Sequence, residues 1–115
     1  FGEWELKKSS EIAAKYPKLS KDYWTSPGDI APPNGESWNQ AAKRINAEVD
    51  NINEKYKGKN IIAVGHFGVI LTQLQRAAKI QPQSAISFQI DNLSITHLEH
   101  LGDKNWRILS VNNIF

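Results

Sequence analysis

The chain has 115 residues, 40% of them hydrophobic and 23% charged, which describes one globular domain with a single core rather than a disordered segment. A net charge of +2 is too small to argue for nucleic acid or an anionic membrane as partner, and neither is expected. No apolar run approaches the ~18 residues of a membrane span. The absence of cysteine removes disulfides and thiolate metal sites, which fits a cytoplasmic protein.

There is no methionine, and the chain opens on Phe1. Methionine aminopeptidase trims Met only ahead of a small residue, so the sequence reads as a piece of a longer chain. The first residues lack the basic-then-apolar layout of a signal peptide. After the aromatic and acidic start Phe1–Glu5, Ser9 or Ser10 is expected to cap a short helix from Glu11 to Lys15 or Tyr16, with Pro17 following it. A second helical turn is expected near Lys18 to Tyr23. Pro27, Gly28, Pro32 and Pro33 mark Thr25–Asn34 as an exposed loop.

Ser37-Trp38-Asn39-Gln40 has the spacing of a capping box. Ala41, Ile45, Val49, Ile52 and Tyr56 then recur on one face of an amphipathic helix. Gly58 stands where a C-terminal cap belongs, after Lys55 and Lys57. The lysines at 55, 57 and 59 read as a solvated helix end.

The β-branched apolar run Ile61–Val64 reads as a strand buried on both faces, and Val69–Ala78 as the next helix, ended by Gln81-Pro82-Gln83. Ser87–Asp91 alternates, as do Ser94–His100 and Trp106–Val111. Gly102-Asp103-Lys104 between the last two implies a hairpin. Helix, strand, helix, then strands gives an α/β layout with a thin sheet of three or four strands, part of it antiparallel. Trp4, Tyr23, Trp24 and Trp38 read as core and loop anchors.

His66 is the candidate functional residue. It follows the Ile61–Val64 run and precedes a helix, and the edge of an α/β sheet where a strand hands over to a helix is where ligands bind. The first N–H groups of that helix and its dipole favour an anion, and a histidine beside them can hydrogen-bond it. Gly65-His66-Phe67-Gly68 is not a dinucleotide fingerprint and lacks the Lys-Ser/Thr of a P-loop. His97 and His100, three apart on a strand, fall on opposite faces and do not suggest a shared metal.

Val64-Gly65-His66-Phe67-Gly68-Val69-Ile70 resembles the second-histidine motif of the histidine phosphatase superfamily, the phosphoglycerate-mutase-like proteins. Phe1-Gly2-Glu3-Trp4-Glu5 is similar to the Phe-Gly-Asp-Trp-Glu-Gly segment of the α-ribazole-phosphatase-like branch. Pro32-Pro33-Asn34-Gly35-Glu36-Ser37 is similar to that branch's Pro-Gly-Gly-Glu-Ser segment. The tail from Asn92 to Asn113 looks like the family's last strands. The resemblance implies that residues 1–115 are the C-terminal half of a three-layer α/β/α domain, with a thin mixed sheet and a C-terminal antiparallel hairpin.

The resemblance also implies function: hydrolysis of phosphomonoesters, on a small phosphorylated metabolite, with no metal or other cofactor. In the family a histidine in an Arg-His-Gly motif attacks phosphorus, a carboxylic acid protonates the leaving alkoxide, and water releases phosphate. This chain has no Arg-His-Gly and begins beyond the place of the acid. His66 carries over as the second, phosphate-stabilising histidine, with the Phe67 N–H as a phosphate contact and Glu36 and Ser37 as substrate-binding candidates. Phe67 replaces the family's usual small residue and Leu71 its usual arginine.

The chain alone is therefore expected to be inactive. It would be completed by the missing N-terminal half, or would form a homo-oligomer such as a dimer through the Ile61–Val64 edge, because unpaired apolar edges recruit strands. A non-catalytic oligomerising or anion-binding module is the alternative.

Overall fold

Local signals place most of the helices. Ser37 Oγ accepts from the Gln40 N–H at 3.1 Å and Gln40 Oε1 accepts from the Ser37 N–H at 2.8 Å. This reciprocal pair satisfies donors that the first turn of a helix leaves without acceptors. It opens α3 (Trp38–Lys55), the amphipathic helix expected from the sequence. Beyond its end Gly58 has φ +76°, the left-handed conformation that suits glycine.

The computed structural model describes residues 1–115 as an α/β chain. A 3-10 turn at Gly2–Trp4 is followed by α1 (Ser9–Lys15), α2 (Pro17–Thr25) and α3. Then come α4 (Phe67–Ala78), α5 (Pro82–Ala85) and an antiparallel pair, β1 (Ile95–Gly102) and β2 (Asn105–Asn113). Two units, Phe1–Arg44 and Ile45–Phe115, divide it.

The first unit is held by aromatic rings. Trp4 is buried and meets Tyr23 edge-on at 5.3 Å and Tyr16 at 6.2 Å, while Tyr23 also meets Phe1 and Trp24. Such edge-to-face contacts add to the area that each ring buries. Gly2 has φ +55°, and a Cβ there would collide with the Pro33 carbonyl and the Gly35 N–H. Only glycine lets these backbones approach, and the Glu3 N–H then donates to Pro33 O at 2.8 Å.

The second unit is built on α4. Leu71, Thr72 and Leu74 are buried along it, and Ala85 of α5 is buried as well. The buried Thr72 hydroxyl donates to Val69 O at 2.6 Å, so it is satisfied without leaving the helix. The last turns of α3 join α4 through side chains a turn apart. Gln73 donates to Asn46 at 2.9 Å, and Arg76 to Asp50 at 2.7 Å. The Arg76 guanidinium also lies 4.9 Å from the centre of the Trp106 ring.

The hairpin forms as expected, with Leu98 opposite Ile108 and Glu99 opposite Arg107. Both turn residues, Asp103 (φ 50°) and Lys104 (φ 64°), are left-handed, which matches the twist of the strands they join. Asp91 leads into β1 and is fixed to β2. Its N–H donates to Asn112 Oδ1 at 2.7 Å, and Asn112 Nδ2 donates to Asp91 Oδ2 at 3.0 Å.

Three expectations need correction. Ile61–Val64 forms no strand and no ladder, and it is exposed rather than buried on both faces; Ile62 is 93% and Val64 99% exposed. A strand needs a neighbour to take its N–H and C=O groups, and no other segment of the chain pairs with this one. The sheet is accordingly two antiparallel strands and not a mixed one. Ser87–Asp91 also forms no strand: Phe88 N–H donates to Ala85 O and Ser87 N–H to Ser84 O, closing turns after α5. Finally, Ser9 and Ser10 lie inside α1 instead of capping it. Lys8 holds the cap position, and its N–H donates to Glu11 Oε2 at 3.3 Å.

Candidate functional site

His66 stands at the N-cap of α4 with extended backbone angles, φ −74° and ψ 161°. Its carbonyl accepts from the N–H groups of Val69 (3.0 Å) and Ile70 (3.3 Å). The N–H groups of Phe67 and Gly68 are thereby left without intrahelical acceptors, at the positive end of the helix dipole. The helix is anchored further along by Leu71 and Leu74, so the direction of these donors is set by the buried face of the second unit.

The surroundings are open. His66 and Phe67 are exposed, the imidazole has no hydrogen-bond partner, and a Cβ at Gly68 would meet nothing within 4 Å. Gly65 differs, since a Cβ there would already touch the Val69 side chain at 3.4 Å. Two free backbone donors, a free imidazole and an unobstructed glycine make a place where an anionic oxygen can be held by hydrogen bonds that charge strengthens.

The other sequence candidates lie in the first unit. Glu36 is bound in a fork by Arg44, whose Nε donates to Oε2 at 3.0 Å and Nη2 to Oε1 at 2.7 Å. Hydrogen bonding to Arg44 holds the Glu36 carboxyl below its ordinary range and raises Arg44 in return. Ser37 is buried, and its hydroxyl accepts from the Gln40 N–H in the α3 cap. The structure thus brings His66 together with the Phe67 N–H. It employs Glu36 and Ser37 at the entrance to α3.

Sequence patterns did not single out the Arg44–Glu36 fork, although an acid just before the cap and an arginine two turns into the helix are the available signal. The contact of Arg76 with Asp50 and Trp106 had no local signal at all. Of the two histidines in β1, His97 is exposed, and His100 packs its ring against Trp106 at 4.6 Å.

Comparison with known proteins adds family evidence to this geometry. Residues 1–114 match the model of the histidine phosphatase superfamily, branch 1. A metal-independent phosphoserine phosphatase of Arabidopsis thaliana is 30% identical over 105 residues, covering 90% of this chain and 42% of that protein. Bifunctional protein Rv2228c of Mycobacterium tuberculosis is 28% identical over 103 residues, covering 90% of this chain and 28% of its own length. Among solved structures, Bacillus stearothermophilus YhfR superposes with a TM-score of 0.90 at 22% identity, over 100% of this chain and 57% of that one. The chain therefore spans less than half the length of the curated relatives it matches.

Proposed function

This chain belongs to the histidine phosphatase superfamily, branch 1, and on that premise we propose that it is the phosphate-holding part of a cytoplasmic phosphomonoesterase acting on a small phosphorylated metabolite. The observation that carries the proposal is His66 at the N-cap of α4, beside the free N–H groups of Phe67 and Gly68. In this reading the imidazole and the Phe67 N–H bind non-bridging oxygens of the phosphoryl group and stabilise the charge that develops on them as phosphorus is attacked. The substrate class takes support from the Arabidopsis relative, a phosphatase of phosphoserine by name.

The attacking histidine and the proton donor are not this chain's own. No Arg-His-Gly is present in its sequence, so the chain alone binds phosphate without cleaving esters. Titration with inorganic phosphate, followed by NMR at the His66 ring and at the Phe67 and Gly68 amides, is expected to give saturable shifts that His66→Ala removes. Alone, the chain is expected to leave p-nitrophenyl phosphate intact. A longer chain that includes the Arg-His-Gly segment is expected to hydrolyse it, about 10²-fold more slowly with His66→Ala. No shift at His66 with about 20 mM phosphate, a concentration that fills any millimolar site, would refute the proposal.

The bare segment Ile61–Val64 favours a second, compatible reading in which the module assembles through that edge. The partner strand comes from the missing half of the domain or, in its absence, from a second copy. Light scattering of the isolated chain is expected to give a mass above 13.0 kDa, and a monodisperse monomer would count against the second-copy form.

A further inference from the structure

We propose that Asn34 is a conditional deamidation site: it is spared while the Pro32–Gly35 turn sits on Gly2, and it is converted to aspartate and isoaspartate when that contact opens. Asn34-Gly35 is the single Asn-Gly pair in the sequence, and Asn34 is exposed, so water and base reach it. Glycine has no side chain to shield its nitrogen, which makes it the least hindered backbone nucleophile for a preceding asparagine. The Gly35 nitrogen gives its proton to a solvent base and bonds to Asn34 Cγ. The Cγ–Nδ2 bond breaks, and ammonia leaves carrying a proton. Water then opens the resulting succinimide at either carbonyl, so one water is consumed and one ammonia released. Opening at the Asn34 backbone carbonyl leaves the chain running through Cβ and Cγ, one methylene longer than before.

The folded turn blocks the first of these steps. The Gly35 N–H donates to Pro32 O at 2.9 Å, and Asn34 has φ 56°. With Pro33 ahead of it, this is the pattern of a type II turn. Ring closure needs the Gly35 nitrogen eclipsed with Asn34 Cβ, a rotation of roughly 120° about the Cα–C bond from that geometry. The surroundings leave no room for it. The Glu3 N–H donates to Pro33 O at 2.8 Å, and a Cβ added to Gly35 would stand 2.9 Å from the Gly2 nitrogen. The same close fit gives the product its effect. A backbone lengthened by one methylene between Pro33 and Gly35 does not fit against Gly2, so isoaspartate keeps the turn from seating again. The proposal is independent of the phosphatase reading, because none of these residues belongs to the His66 site.

The test incubates the full chain in mildly alkaline buffer, with and without enough urea to unfold it. Peptide mass spectrometry follows the amide-to-acid conversion at Asn34, and an isoaspartyl methyltransferase reports the isoaspartate fraction. Conversion is expected to be at least about tenfold slower in buffer than in urea. Gly2→Ala, whose Cβ would collide with the turn, is expected to bring the rate in buffer to within about threefold of the urea rate. A second measurement separates the added methylene from the added charge. After return to buffer, the Glu3 amide of the isoaspartyl chain is expected to exchange with deuterium at least about tenfold faster than in Asn34→Asp, whose backbone keeps its length. Equal conversion rates in buffer and urea would overturn the proposal. So would a Gly2→Ala rate no higher than that of the unaltered chain in buffer, or a Glu3 amide equally protected in the isoaspartyl chain and in Asn34→Asp.

Discussion

Ser37 shows how a residue singled out as a substrate-binding candidate is also employed by the fold. Its hydroxyl accepts from the Gln40 N–H, and the Gln40 side chain accepts from the Ser37 N–H, at the start of α3. Removing such a cap frees a donor in a partly buried place, so Ser37→Ala is expected to destabilise the chain by about 1 kcal/mol, measured by urea unfolding. His66 divides its backbone from its ring. Its backbone carbonyl is engaged in starting α4, its ring bonds to nothing, and substitution there is expected to alter phosphate binding far more than stability.

Helices were legible in the sequence because their signals are local. The capping box and the spacing of Ala41, Ile45, Val49 and Ile52 located α3, and Gly102-Asp103-Lys104 located the hairpin turn. Signals that depend on a distant partner misled. Ile61–Val64 and Ser87–Asp91 both have strand composition, but alternation and β-branching do not supply a neighbouring strand. The same division holds for side chains: His66 at the start of a helix could be inferred from a run of ten residues, whereas the contact of Arg76 with Trp106 depends on where the hairpin lies.

The element that carries most of the second unit is α4, and Leu74 is its most deeply buried large side chain. Leu74→Ala is expected to cost about 3 kcal/mol, from lost burial and from the cavity left behind. Because α4 also aims the Phe67 and Gly68 N–H groups, the same variant is expected to broaden their amide resonances in NMR spectra.

At the scale of the whole molecule, the family fold is present over the length of this chain, and YhfR superposes on all of it. The core is small for that length. Trp4, Pro32, Leu71, Leu74 and Ala85 are the buried apolar residues, while Ile61, Ile62 and Val64 stand in solvent. A domain of this size ordinarily closes around a larger share of its apolar side chains. No helix is long and apolar enough to cross a membrane, so these residues are not accounted for by a spanning helix.

The unpaired segment Ile61–Gly65 has a consequence for solvent exchange. Its amide protons have no ladder acceptors, so in deuterated water they are expected to be replaced about as fast as those of an unstructured peptide, while the β1–β2 amides hold theirs. When a strand docks on that edge, alternate amides along the segment acquire acceptors and slow down, with a two-residue rhythm that identifies which side of the backbone is covered. Mass spectrometry of the exchanging chain would then time the arrival of its structural complement and locate it to within a residue or two, with no assay of chemistry required.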